Sequence, residues 1–303
     1  MFVGYLTACL PQVPLMEKLA WAKENGFKGL EIACWPRDNS RDYQASDIDV
    51  ANLTQEEADE IRRAFDEAGI AITSLGYYDN NIHANPEERA KINQHTKYVI
   101  DAAQKLGVEL VGTFVGRNIE KSVKDSFDDF EEVFTDLLRY AEERGVKVMI
   151  ENCPMEGWQL PGQPGTISFT PELWEEMFRR VPSKSFGLNF DPSHLHFQLI
   201  DYLPLVEKFK DRIFHVHAKD VEIFEDKLAW FGALNAQLQR DGYWRFRMPG
   251  LGHVDFKGLI AELKKIGYDS VISIEHEDPL YEGSIEKVHE GLRLGREFLE
   301  KII

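Results

Sequence analysis

The chain has 303 residues, 43% of them hydrophobic and 12% aromatic, with a formal charge of −17 and an isoelectric point near 5.0. Such a composition supports a sizeable core and argues against intrinsic disorder, while the acidic excess repels phosphate and argues against a nucleic-acid surface. Three cysteines without CxxC spacing, an N-terminus with no basic leader and a proline at position 11, and no apolar run near the ~18 residues of a membrane helix predict a cytoplasmic protein with reduced thiols.

In chain order, "FVGYLT" (2–7) predicts a strand and "LMEKLAWAKENG" (15–26) a helix closed by Gly26. "GLEIAC" (29–34) is the second strand, followed by a polar excursion (35–53) and a helix over 54–69 with a Thr cap and an acidic first turn. "IAITSLG" (70–76) is strand three, and 85–107 a long helix with Pro86 in its first turn and Gly107 at its end. "VELVGTFV" (108–115), a helix over 122–145 and "VKVMIEN" (146–152) follow, then a helix over 170–181 and "SFGLNFD" (185–191). The segment 196–211 predicts a helix broken near Pro204, and "RIFHVHA" (212–218) strand seven. A long aromatic connection (about 218–252) leads to a helix over 255–267, to "YDSVISIEH" (268–276) as strand eight, and to a closing helix over 284–303.

Eight strands alternating with helices, with no linker or composition break, predict parallel βα units closed into one single-domain (β/α)8 TIM barrel spanning 1–303. An open doubly wound sheet is the alternative. Against it, "TACLPQV" stands after the first strand where such a sheet would carry its glycine-rich turn.

Barrel enzymes work at the carboxyl ends of their strands. Four successive predicted strands end in metal-ligand side chains: Glu151, Asp191, the pair His215 and His217, and Glu275. Neighbouring strands lie about 4.8 Å apart, so these groups can meet. Two or three carboxylates and an imidazole suit Mn²⁺ first, with Mg²⁺, Co²⁺ or Zn²⁺ as alternatives. Taken singly, each residue has a plainer role: Glu151 a cap or ion pair, Asp191 an Asx-type turn, at least one histidine a satisfied core group, and Glu275 a solvated charge beside His276, Glu277 and Asp278. The joint pattern favours the metal.

The motifs "IEN", "FDPSH", "HVHAKD" and "SIEHED" at these separations resemble the sugar phosphate isomerase/epimerase superfamily of xylose-isomerase-like barrels, which includes ketose 3-epimerases, inosose dehydratases and endonuclease-IV-type nucleases. The resemblance covers essentially the whole chain. It implies Glu151, Asp191, His217 and Glu275 as ligands of one divalent ion, His217 being the second histidine of H-x-H. It further implies His194 as a substrate contact, leaving His196 structural. The implied chemistry is proton abstraction beside a carbonyl through an enediolate, with Glu151 and Glu275 as the two bases, on a ketose or keto-sugar. A lyase or dehydratase on the same scaffold shares the first step, including elimination from a 3-keto-glycoside with a partner subunit. A nuclease would need more histidines and a basic face, and a non-catalytic carbohydrate-binding protein would be indifferent to Glu151.

Further candidate substrate contacts are Glu156, Lys219, Trp35 and His83, each with a plain alternative: solvated charge, an ion pair with Asp220, core packing, and helix entry. Trp158 and Trp230 stand at strand ends, and Glu31 inside an apolar strand suggests an inward polar role. The connection after strand seven carries Arg245 and Arg247, which could close over substrate oxygens or serve packing or a homo-oligomer or heteromer contact.

Overall fold

A computed structural model describes residues 1–37, 45–160, 162–233 and 242–303. The polar excursion (35–53) and the long connection (about 218–252) lie partly outside the described residues, at 38–44 and 234–241. Up to the fifth strand the elements are β1 (Phe2–Leu6), α1 (Leu15–Glu24), β2 (Gly29–Ala33), α2 (Gln55–Ala68), β3 (Ala71–Asn80), α3 (Pro86–Leu106), β4 (Leu110–Phe114), α4 (Ser126–Glu142) and β5 (Lys147–Glu151). There follow α5 (Pro171–Arg180), β6 (Phe186–Phe190), α6 (Pro192–His196), α7 (Leu203–Lys208), β7 (Ile213–Ala218), β8 (Asp220–Ile223), α8 (Glu225–Phe231), β9 (Trp244–Arg247), α9 (Phe256–Lys265), β10 (Val271–Ile274) and α10 (Ile285–Glu300).

Eight of these strands pair in parallel and close in the order β1-β10-β7-β6-β5-β4-β3-β2. The barrel is the one the βα alternation predicts, and closure leaves it no free edge. Local chemistry sets its helices. Thr54 and Glu57 form a reciprocal capping box at the start of α2, and Asn85 accepts the N–H groups of Glu87 and Glu88 ahead of Pro86 at the start of α3. Gly69 and Gly107 end these helices at φ 69° and 70°, a left-handed conformation that a Cβ disfavours. Between barrel and helices, Phe130, Phe134, Phe178 and Phe186 pack at ring separations of 4.9 to 5.9 Å. Each buried phenyl contributes about 1.5–3 kcal/mol.

Three expectations are corrected. Strand three does not stop at Gly76: β3 continues to Asn80, carrying Tyr77 and Tyr78 inside. Of the helix expected over 196–211 only α7 forms; α6 precedes it and ends at His196, and Leu199 between them has a φ of 62°. Pro204 falls in the first turn of α7, where its missing N–H costs no hydrogen bond, so the helix starts there instead of breaking. Among its described residues the connection after β7 carries an antiparallel pair, β8 with β9, Val221 opposite Phe246 and Glu222 opposite Arg245.

Candidate metal centre

Glu151 ends β5, Asp191 follows β6 as the N-cap of α6, His215 and His217 lie on β7, and Glu275 follows β10. In the barrel order β10-β7-β6-β5 these are consecutive strands, so one arc of the mouth carries the whole set. Ligand atoms of Glu151, Asp191, His217 and Glu275 all lie within 4.8 Å of one another, and all four residues are buried. His217 presents Nδ1 to Glu151 at 3.3 Å and to Glu275 at 3.1 Å. Asn152 clamps the neighbouring strand: its Oδ1 accepts the Asp191 N–H and its Nδ2 donates to the Asp191 carbonyl, both at 2.8 Å.

Three buried carboxylates at such distances repel one another unless a cation lies among them. Lys219 supplies one, its Nζ 2.6 Å from Glu275, 3.3 Å from Glu277, 3.5 Å from Asp191 and 3.9 Å from Glu151. Burial alone would favour the neutral amine, but Glu275, Glu277 and Asp191 hold the proton on. Burial likewise opposes ionisation of Glu151, yet Lys219, His194 and His217 hold its carboxyl well below the usual range. Burial raises Asp191, which stays high despite Lys219 and His194. Glu277 is pushed up to about 7, by burial first and the Glu275 charge next, against the pull of Lys219.

The group fits a divalent cation. The Oδ1 of Asp191 caps the Ser193 N–H, whereas its Oδ2 is buried with no hydrogen-bond partner among the described residues. A carboxylate oxygen that takes no hydrogen bond, beside two more carboxylates and an imidazole nitrogen, is a mixed O/N donor set. His194 lies alongside, its Nε2 3.2 Å from Glu151 and 3.6 Å from Asp191.

The β8–β9 hairpin walls this group on one side. Phe246 meets the His194 ring edge-on at 5.4 Å and takes Lys219 Nζ at 4.6 Å from its own ring centre. Trp244 stacks on Phe197 at 4.2 Å. Asp220 anchors the hairpin's base by accepting the N–H groups of Val221, Gly250, Gly252 and Val254 at 2.8 to 2.9 Å. A Cβ on Gly252 would lie 2.4 Å from the Asp220 carboxylate, so only glycine permits that approach.

The other predicted residues are placed as follows. Lys219 is buried among the carboxylates and not paired with Asp220 on the surface. Arg245 and Arg247 both pair with Glu222 at 2.7 Å, and Arg247 also with Asp278 at 2.9 Å, so both guanidinium groups brace the hairpin. Trp35 is buried, with Tyr77 and Tyr78 at 6.1 and 6.0 Å, a core position and not an exposed platform. Trp158 packs against Phe114 at 6.0 Å, and Trp230 on α8 is 84% exposed. His83 is half-buried and accepts the Asn85 N–H on its Nδ1, a helix-entry contact. Glu156 is exposed in the loop after β5. The stretch after Glu275 is not a solvated run: His276 and Asp278 are both buried.

The sequence reading missed Tyr78, Asn189, Glu277 and Phe246. Asn189 donates to the Tyr78 oxygen at 2.8 Å and accepts from His215 Nδ1 at 2.9 Å, beneath the carboxylates. The inward alternation of "LGYYDN" and of "FGLNFD" carried a signal for Tyr78 and Asn189.

The family model described as xylose isomerase-like TIM barrel matches residues 19–302, so the chain belongs to that family. The sugar phosphate isomerase/epimerase resemblance therefore holds. An uncharacterized protein of Methanocaldococcus jannaschii is 26% identical over 158 residues, 52% of this chain; the chain spans about half of that relative's length, 45%. Inosose dehydratase of Geobacillus thermodenitrificans is 26% identical over 252 residues, 76% of this chain and 78% of the relative. Inosose isomerase of Bacillus subtilis (strain 168) is 27% identical over 213 residues, 70% and 68% of the two chains. Among solved structures, a zinc-bound IOLI protein superposes with a TM-score of 0.71 at 21% identity, over 100% of this chain and 99% of the other. D-Psicose 3-epimerase of Clostridium cellulolyticum H10 superposes with a TM-score of 0.72 at 14% identity, over 100% and 99%. At these identities the structural likeness speaks for the fold. Among the described residues no helix is long and apolar enough to cross a membrane.

Proposed function

We propose that the protein is a divalent-metal-dependent sugar epimerase or isomerase that abstracts a proton next to a carbonyl of a ketose or keto-sugar. The observation that carries this reading is the group of Glu151, Asp191, His217 and Glu275 within 4.8 Å at the carboxyl ends of four neighbouring strands. These four would hold the ion, Mn²⁺ being our first choice and Zn²⁺ the one present in a structural neighbour. Bound there, the ion supplies Lewis acidity toward a carbonyl oxygen.

The chain's own residues do the rest. Glu151 and Glu275 sit on β5 and just beyond β10, with β6 and β7 between them, so their carboxylates approach a substrate carbon from different sides. The pKa of each is held below the ordinary carboxylate value, against burial, so both are charged and able to accept a proton at neutral pH. One takes the α-proton and the other returns it to the opposite face. His194 and the Lys219 ammonium lie within reach of a sugar oxygen in the same group, and Phe246 limits entry of water from the hairpin side.

A second reading is a lyase, supported by the relatives named inosose dehydratase. After the same proton abstraction, loss of a β-substituent would replace reprotonation. Solvent-deuterium incorporation into ketoses and 3-keto-glycosides tests both readings. Epimerisation places deuterium in an unchanged carbon skeleton, and elimination releases water or an aglycone. Chelation, or Glu151→Gln, should lower either reaction at least about 10³-fold with the barrel's circular dichroism unchanged. Full exchange in metal-free protein would refute the assignment.

A further inference from the structure

Glu31 lies on β2, which β1 and β10 separate from β7, yet it is fully buried and reaches His217 across the barrel. Among the described residues no lysine or arginine pairs with it, and its basic neighbours are the imidazoles of His217 at 2.8 Å and His215 at 3.9 Å. A carboxylate buried with so little counter-charge is unfavourable unless hydrogen bonds satisfy its oxygens. Its Oε1 accepts the Tyr78 hydroxyl, and its Oε2 accepts from His217 Nε2 and, at 3.3 Å, from Ser273.

Asn189 Nδ2 also lies 2.9 Å from His217 Nε2, but an amide N–H cannot accept a hydrogen. The Glu31 carboxylate oxygen 2.8 Å from Nε2 can only accept, so Nε2 carries a hydrogen and gives it to Glu31, while the Asn189 amide donates to the Tyr78 oxygen. The other ring proton, the one His217 would give up to a cation, is then on Nδ1, the atom that faces Glu151 and Glu275. Two neighbouring strands leave room for this cluster. A Cβ on Gly112 would lie 2.4 Å from the Tyr78 oxygen, and one on Gly76 3.2 Å from Glu31 Oε1.

We propose that Glu31 is a positioning residue for the metal centre: it fixes His217 as the Nε2–H tautomer, aims Nδ1 into the carboxylate group, and lends negative charge through the ring to a cation held there. The inference rests on reading that group as a divalent-metal centre. Glu31, His215 and His217 also have donor atoms within 4.8 Å of one another, an arrangement that would suit a second cation sharing His217. Hydrogen bonds already satisfy these atoms, however. Glu31 accepts three donors, and His215 Nε2 lies 3.4 Å from the Thr73 hydroxyl.

The test is Mn²⁺ affinity, by competition with a chelating dye, together with metal stoichiometry in folded wild type, Glu31→Gln and Glu31→Leu. The wild type should bind a single equivalent. Affinity should fall about 10-fold in the glutamine variant, which keeps the shape and loses the charge, and about 100-fold in the leucine variant. Wild type and variants binding equally tightly would overturn the role of Glu31 and leave the metal reading standing. A wild type that binds no divalent ion would overturn both. Two equivalents falling to one in the variants would replace this role with a second cation site. If the leucine variant does not fold, the isosteric glutamine variant decides.

Discussion

At the residue scale, the site is a balance between burial and charge. Asp191 divides its work, one oxygen capping α6 and the other lying without a hydrogen bond near Glu151 and Glu275, so the Asx-turn role and the proposed ligand role are compatible in one side chain. His215 and His217 sit two apart on one strand face and yet diverge. Burial pulls His215 down to about 4, outweighing the Glu31 charge, whereas Glu31 and Glu275 overcome burial and push His217 well above its ordinary value. His215 is therefore neutral in the folded barrel near pH 7, while the unfolded chain gains a proton there below about 6.5. Stability contributed by this group is complete above 6.5 and is lost as pH falls toward 4, on the order of 3 kcal/mol in all. His215→Gln should flatten the urea-unfolding free energy between pH 7 and 4.5 relative to wild type. Parallel pH profiles for the two proteins would show that His215 is not the group responsible.

At the scale of elements, the excursion after β7 matters most. A connection expected to be a long loop contains an antiparallel pair that delivers Phe246 against His194 and Lys219. Its arginines, read from the sequence as either substrate contacts or packing and interface groups, pair with Glu222 and Asp278. The buried Asp220 holds the hairpin base through four backbone N–H groups. Asp220→Ala would leave those donors without their acceptor. It should cost on the order of 3 kcal/mol, read as a lower urea midpoint, and should expose the hairpin to proteolysis ahead of global unfolding. An unchanged midpoint would mean that water or neighbouring groups replace the carboxylate.

At the scale of the whole molecule, the acidic chain concentrates three of its carboxylates at one end of a closed barrel, where Lys219 offsets only part of their charge. A divalent ion that binds the folded barrel and not the unfolded chain stabilises it by about 2.7 kcal/mol at one hundred times its dissociation constant. Adding Mn²⁺ to chelator-stripped protein should raise the melting temperature by roughly 5 °C, and Glu151→Gln with Asp191→Asn should abolish the rise. No shift with Mn²⁺, Mg²⁺, Co²⁺ or Zn²⁺ would count against a metal centre.

Much of this architecture is legible in one dimension. Thr54, Asn85, Gly69 and Gly107 mark helix ends through local hydrogen bonds and local dihedral preferences, which need no distant partner. The βα alternation places Glu151, Asp191, His217 and Glu275 at strand ends, and their coming together follows once the barrel closes. What the chain order alone does not carry is contact across the barrel or within the excursion. Tyr78 meets Glu31 from 47 positions away, His217 meets it from 186 away, and the pairing of β8 with β9 depends on residues on both sides of a long insertion. Periodicity and caps report on forces between near neighbours. The proton on His217, the burial of Lys219 and the wall made by Phe246 depend on which distant side chains share a closed volume, and only the folded barrel decides that.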